Sequence, residues 1–155
     1  VLSLDGNTLL LFRLVKKHGR ILYDMIKEES NGRTIFFVHG GTDADTREQI
    51  RHIVESERNA IIVASYGVFS VGVDIRNLHN IVFASPSKSR VRNLQSIGRG
   101  LRKSEKKEIA TLYDIADDLS YGSSHNYTLD HFEERKKIYK EEKFSVAEYV
   151  VQLKT

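Results

Sequence analysis

The sequence predicts an α/β fold in which a parallel β-sheet carries helices on both faces, giving three layers. Five short runs are continuously apolar and rich in β-branched and aromatic residues, a pattern typical of strands buried on both sides. Helical patterns lie between most of these runs, and such alternation is typical of parallel sheets with right-handed crossovers. The 155 residues, 40% of them hydrophobic, suffice for one core.

In chain order, the five predicted strands are TLLLF, TIFFVH, AIIVASY, NIVFAS and IATLYDI, at residues 8–12, 34–39, 60–66, 80–85 and 109–115. Ligands of open parallel sheets bind at the carboxyl ends of the strands. We therefore expect functional residues directly after these runs.

Two helices are predicted between the first three strands. The first has an apolar stripe followed by Asn31 and Gly32, which are suited to ending it. Its stripe consists of Ile21, Leu22, Met25 and Ile26. In the second helix Asp45 and Glu48 have the spacing of a capping pair. Its apolar residues are Ile50, Ile53 and Val54.

The last part of the chain is predicted to be an appendage of the sheet domain. Residues 1–119 form that domain, and residues 120–155 form a loop followed by a charged helix. The helix offers four apolar side chains for packing, namely Leu129, Phe132, Ile138 and Tyr139. The alternative is an independent helix that binds a partner protein.

Composition narrows the class of protein. No run approaches the 18 or so apolar residues of a membrane span, and no signal peptide is recognisable, so we expect a cytoplasmic protein. There is no cysteine, which removes disulfides and thiolate zinc sites. None of the six histidines pairs as H-E-x-x-H, and no metal site is expected.

Positive charge is concentrated in one segment. Residues 86–107 hold eight lysines and arginines and one glutamate, although the whole chain carries only +3. Such a segment suits phosphate groups, while a solvated face is the alternative. On a helix over residues 94–107, Gln95, Arg99 and Arg102 share one face, opposite Leu94, Ile97 and Leu101. Two guanidinium groups on one face are well shaped for phosphate oxygens.

At this point the sequence resembles a known family. The pattern Q-x-x-G-R-x-x-R, which starts at Gln95, resembles motif VI of superfamily 2 helicases and translocases. ASYGVFSVGVDI at residues 64–75 resembles motif V, VHGGTDADTRE at residues 38–48 resembles motif IVa, and NTLLLF resembles the motif IV strand. The four motifs occur in the family's order, and the resemblance covers residues 8–115.

The resemblance is to the second RecA-like domain of these motors, and within them to the phage UvsW-type recombination and repair helicases. It implies an ATP-dependent motor on branched DNA such as forks, junctions and R-loops. No G-x-x-x-x-G-K-[ST] phosphate loop is present. ATP and Mg²⁺ are therefore expected to be bound mainly by a first RecA-like domain of a longer protein. The alternatives are a non-catalytic nucleic-acid-binding module, an RNA helicase, or a restriction or remodelling translocase.

The resemblance also implies roles at the nucleotide. Arg102 would be the main arginine finger and Arg99 its companion, both stabilising charge on the transferred phosphoryl group. Gln95 would orient water or relay contacts between nucleotide and DNA. Gly72, Asp74 and Gly98 would lie near the nucleotide, with a structural Asp–Arg pair as the alternative for Asp74.

The DNA contacts implied by the resemblance lie at strand ends. Gly41 and Arg47 belong to the motif IVa segment, Ser65 and Tyr66 end the motif V strand, and Arg13 follows the first strand. Amides and hydroxyls at such positions hold phosphates without reading sequence. For Phe12, core packing is favoured over a contact with DNA. Five further basic residues either extend this phosphate-binding surface or are merely solvated. They are Lys88, Arg90, Arg92, Lys106 and Lys107.

Overall fold

The computed structural model describes residues 1–69, 75, 77–85, 110–122 and 126–152. In these residues the five predicted strands form one parallel sheet of order β2-β3-β1-β4-β5. The strands are β1 (Thr8–Phe12), β2 (Ile35–Val38), β3 (Ile61–Ser65), β4 (Asn80–Phe83) and β5 (Thr111–Asp114). Each lies inside its predicted apolar run, so the predicted sheet is confirmed.

Helices cover both faces of this sheet. They are α1 (Arg20–Glu28), α2 (Ala44–Ser56), the single turn α3 (Tyr66–Phe69) and a C-terminal helix (Tyr127–Glu141). Along β1 the side chains alternate: Leu9 and Leu11 join a core with α2 and the C-terminal helix, whereas Leu10 and Phe12 join a core with α1. The predicted α/β/α layering is confirmed.

The connection from β1 to α1 is one turn of π-helix, Val15–Gly19. The amides of His18 and Gly19 both donate to the carbonyl of Leu14, at 3.1 and 2.9 Å. A Cβ on Gly19 would lie 2.3 Å from the ring of Phe12. Only a glycine admits this approach to the Phe12 ring at the residue directly before α1. α1 ends at Glu28, before the predicted stop at Asn31 and Gly32, and these two residues adopt positive φ in the turn that follows.

The predicted capping pair of α2 is wrong. Asp43 is the N-cap, and its carboxylate accepts a 2.8 Å hydrogen bond from the Thr46 amide. The turn at residues 39–42 leaves Asp43 in extended backbone, so the helix starts two residues earlier than an Asp45 cap requires. Glu48 instead pairs with Arg51.

The C-terminal helix is attached to the sheet by a buried polar cluster. Arg135 donates to both carboxylate oxygens of Asp114 at the end of β5, at 2.7 and 3.0 Å. The phenol of Tyr139 donates to the same carboxylate at 2.5 Å. Tyr139 also belongs to the core of the α2 face, with Ile138 and Phe144 packed around it. The appendage therefore makes both apolar and charged contacts with the sheet.

Candidate functional site

The carboxyl ends of the strands collect the predicted nucleic-acid residues at one edge of the sheet. Phe12 pairs in register with Ser65, so Arg13 and Tyr66 each follow directly after one of these paired residues. Val38 pairs with Ala64, which brings the loop from His39 to Gly41 beside Ser65. We call this region the carboxyl edge. It is the place where open parallel sheets bind ligands.

Arg13 is exposed at the centre of the carboxyl edge. Its amide donates a 3.1 Å hydrogen bond to the hydroxyl of Ser85, which follows β4. This bond holds the segments after β1 and β4 together, while the guanidinium faces solvent. Phe12, directly before it, is fully buried and stacks on Phe37 with ring centroids 5.6 Å apart. The favoured core role of Phe12 is confirmed.

Gly41 lies in an exposed loop that is held by its own hydrogen bonds. The Thr42 amide donates to the carbonyl of His39 at 2.8 Å, and the His39 amide donates to the Thr42 hydroxyl at 3.1 Å. The Gly41 amide donates to Nδ1 of His39 at 3.0 Å. A phosphate at this loop would therefore compete with the imidazole for the Gly41 amide.

Arg47 extends from α2 over the same edge. Its Nε donates to the carbonyl of the capping residue Asp43 at 3.4 Å, and its stem lines a narrow apolar cleft with Val38 and Val68. The amide and hydroxyl of Thr46 bond to the Asp43 carboxylate and lower its pKa. The Asp43 carboxylate is therefore favoured in its charged form, four residues before Arg47.

Ser65 and Tyr66 reach the carboxyl edge but lie below its surface. Their exposed fractions are 7% and 3%. The Tyr66 ring packs on Phe83, with centroids 5.6 Å apart. Since the ring is part of the core, any contact with phosphate is expected to come from backbone groups of this segment.

The residues predicted to act at the nucleotide lie outside the described part of the chain. They are Gly72, Asp74, Gln95, Gly98, Arg99 and Arg102. The predicted helix over residues 94–107 lies outside it as well. Their roles stay predictions.

Sequence reasoning missed a group of basic residues on the π-helical turn and the start of α1. Lys16, Lys17 and Arg20 are all exposed. The Arg20 guanidinium lies over the rings of Phe37 and Tyr23, with centroids 5.1 and 5.6 Å away. The signal was present as RLVKKHGR, four cations in eight residues without an acid. It is shorter than the basic segment at residues 86–107, which holds eight lysines and arginines.

Comparison with known proteins decides the family. The model of the helicase conserved C-terminal domain matches residues 2–104. The chain belongs to this helicase family. The matched segment contains all four motifs that the sequence analysis singled out, from the motif IV strand to the arginines of motif VI.

Two relatives of this helicase domain are similar in sequence. The chain is 37% identical over 159 aligned positions to the ATP-dependent DNA helicase UvsW of Enterobacteria phage T4, covering 96% of the chain and 31% of UvsW. It is 30% identical to IRC3, a candidate ATP-dependent helicase of Saccharomyces cerevisiae, covering 73% of the chain and 16% of IRC3. The chain thus spans less than a third of the length of either relative.

Solved structures agree with the RecA-like fold. The crystal structure of T4 UvsW matches with a TM-score of 0.70 at 39% identity, covering 90% of the chain and 30% of that structure. The C-terminal part of the Fun30 ATPase domain matches with a TM-score of 0.58 over 87% of the chain and 48% of that structure. At 12% identity the second match concerns the fold alone.

Two other kinds of feature are absent from the part of the chain that the structure describes. No helix there is long and apolar enough to cross a membrane. No three histidine or acidic side chains there are grouped as metal ligands.

Proposed function

We propose that this chain is the second motor domain of an ATP-dependent DNA helicase or translocase that acts on branched DNA, including forks, junctions and R-loops, in recombination and repair. The observation that carries the proposal is the helicase-family match over residues 2–104, which includes the Q-x-x-G-R-x-x-R pattern. The similarity to a protein named as an ATP-dependent DNA helicase supports DNA as the substrate.

In this proposal motif VI acts across a cleft. ATP and Mg²⁺ bind mainly to a first RecA-like domain of the same protein, and Arg99 and Arg102 reach the γ-phosphate from this chain. Arginine fingers accelerate phosphoryl transfer about 10³- to 10⁵-fold because they stabilise charge that develops in the transition state. Gln95 orients water or relays contacts, and Gly72, Asp74 and Gly98 line the same cleft.

The DNA side of the proposal uses the carboxyl edge. Arg13, Gly41 and Arg47 contact backbone phosphates, with Ser65 and Tyr66 contributing through the end of β3. Residues 1–119 form the motor domain, and residues 120–155 form an appendage that supports β5 through Asp114. Opening and closing of the cleft with the ATP cycle would shift these contacts and move the domain along DNA.

The test is substitution of the two arginines in the full-length protein. R99A and R102A are each expected to lower DNA-stimulated ATP turnover about 10³-fold or more, while the Kd for DNA changes less than about twofold because phosphate contacts elsewhere remain. R58A is the matched control, since Arg58 is an exposed arginine before β3, at the opposite edge of the sheet. It should leave both quantities unchanged.

One observation favours a second candidate, a non-catalytic nucleic-acid-binding module. The chain has no G-x-x-x-x-G-K-[ST] phosphate-loop motif of its own. In such a module Arg99 and Arg102 would bind DNA directly. The two candidates separate in the same experiment, because DNA affinity that falls in step with ATP turnover favours the module.

A further inference from the structure

We propose that Lys16, Lys17 and Arg20 form a second phosphate-binding surface, the basic strip, which continues the carboxyl edge over the α1 face of the sheet. Its ligand is the phosphodiester backbone of a nucleic-acid strand. The inference rests on the proposed function and adds contacts to it that none of the family motifs supplies.

The position of the strip is fixed by the end of β1. The π-helical turn begins three residues after Phe12, and Gly19 in this turn packs directly on the Phe12 ring. Phe12 pairs with Ser65, so the turn stands over the same strand ends as Arg13. Single π-helical turns are frequent at functional sites. The strip and the carboxyl edge therefore adjoin.

Within the described residues, no acidic side chain forms an ion pair with the strip. From Arg13 to Tyr23 there are four lysines and arginines and no acid. None of the ion pairs within the described residues includes Lys16, Lys17 or Arg20. Other cations are paired: Arg51 contacts Glu48 and Glu55, and Lys136 contacts Glu133 and Glu148. An unpaired group of cations attracts a polyanion more strongly than cations that are already paired.

Aromatic rings hold Arg20 at one end of this surface. Its guanidinium lies 5.1 Å from the Phe37 centroid, a cation–π contact that restrains the plane while leaving the N–H groups available. The Phe37 ring in turn contacts His39, with centroids 5.4 Å apart, and His39 bonds to the Gly41 amide. A continuous path of side chains thus runs from Arg20 to the Gly41 loop.

The test compares two triple variants of the full-length protein that lose equal charge. K16Q/K17Q/R20Q removes the strip. R58Q/K140Q/K143Q removes three exposed cations from other places on the chain. The Kd of a labelled 20-nucleotide strand is measured by fluorescence anisotropy across a salt series, once with DNA and once with RNA of the same sequence. The two strands share the phosphodiester chemistry, and their comparison shows which one the strip serves.

The strip variant is expected to lose about 2 from the slope of log K against log salt, since each phosphate contact on a single strand contributes about 0.7. At about 0.1 M salt this corresponds to a Kd raised about 10- to 100-fold. The control variant should stay within about twofold of the unaltered protein. Two single variants complete the comparison: R20K keeps the charge but loses the guanidinium contact with the Phe37 ring, so its Kd should lie between that of R20Q and that of the unaltered protein.

An unchanged slope of log K against log salt in the strip variant overturns the inference. The same holds if that variant instead loses binding to an acidic protein. The proposed function is judged separately, by R99A and R102A. If those variants lose ATP turnover while the strip variant binds like its control, the motor assignment stands and the strip alone fails. If the unaltered full-length protein binds neither the DNA strand nor the RNA strand, the proposed function and the basic strip are both wrong.

Discussion

Gly19 is the residue whose replacement tests the packing at the carboxyl edge most directly. G19A would place a methyl group 2.3 Å from the Phe12 ring. That ring cannot withdraw easily, because it is fully buried and stacked on Phe37. We expect the free energy of unfolding to fall by about 1–3 kcal/mol, the usual cost of overpacking. The measurement is chemical denaturation of the two proteins under identical conditions.

G67A is the control for this substitution. Gly67 lies in α3, and a Cβ there would have no atom within 4 Å. Alanine is also the better helix former, so this variant should be neutral or slightly stabilised. If G19A were as stable as G67A, the close approach of Gly19 to Phe12 would be disproved.

Single residues also show how far sequence reasoning reaches. The burial of Phe12 was predicted because it ends a continuously apolar run. The cap of α2 was not, because two aspartates lie two positions apart and only the turn before Asp43 decides between them. Asn7 was missed altogether: its buried amide nitrogen donates to the carbonyls of Val54, Glu57 and Asn77, a role that needs three distant segments brought together.

At the scale of elements, the attachment of the C-terminal helix depends on the pair Asp114 and Arg135. Arg135 is only 1% exposed, so D114A would leave a buried guanidinium without its carboxylate. We expect a loss of about 3–5 kcal/mol in the free energy of unfolding. E134A is the control, since it breaks the exposed pair of Glu134 and Lys137 and should cost less than about 1 kcal/mol.

A double variant refines this prediction. D114L/R135M replaces the pair by apolar side chains and leaves neither charge buried alone, so it should be more stable than D114A. Equal losses in D114A and E134A would show that the helix is held by its apolar contacts instead. Denaturation curves of the four proteins provide the comparison.

Tyr139 makes the same attachment sensitive to alkaline pH. Burial raises the pKa of its phenol, and the nearby Asp114 carboxylate adds to the shift. The unfolded chain ionises this tyrosine near pH 10 while the folded chain keeps it neutral. The stabilisation is therefore complete below about pH 10 and declines above it, by up to about 1.4 kcal/mol for each pH unit.

The pH dependence is measured as the free energy of unfolding at pH 8 and at pH 11. Y139F removes the ionisable group, so its stability should fall less between these values than that of the unaltered protein. Y121F is the matched control, because Tyr121 is 87% exposed. The stability of this variant should fall between pH 8 and pH 11 as much as that of the unaltered protein. Parallel declines for all three proteins would exclude Tyr139 as the source.

The elements were predicted unevenly, for physical reasons. The strands follow from apolar runs that only a two-sided sheet can bury. The π-helical turn was not predicted, because a single turn of five residues carries no apolar repeat and because Gly19 meets Phe12 only in the folded chain. The buried Arg135 was missed because charged helices are usually solvated, and only Asp114 at the end of β5 makes its burial favourable.

At the scale of the whole molecule, the two apolar cores of the described residues lie between two polar edges of the sheet. Asn7 and Asn80 are buried and hydrogen-bonded at the amino ends of the strands, and the residues predicted to contact nucleic acid lie at the carboxyl edge. The sequence locates a residue along a strand, and so it predicted which residues reach that edge. The sequence does not predict how deeply each of these residues is buried: Arg13 and Gly41 are exposed there, while Ser65 and Tyr66 are buried. Depth depends on what packs above each strand end, and this is decided by segments far apart in the chain.

A nucleotide site divided between two domains predicts that this chain alone does not hydrolyse ATP. Residues 1–155 contain no G-x-x-x-x-G-K-[ST] motif, so this chain alone lacks the amides and lysine that hold ATP phosphates. We expect no ATP turnover above the background of the R102A form of the same chain, with or without DNA, in a phosphate-release assay. The full-length protein should show DNA-stimulated turnover under the same conditions. Robust turnover by residues 1–155 would contradict a site divided between two domains and would require a complete nucleotide site within this sheet.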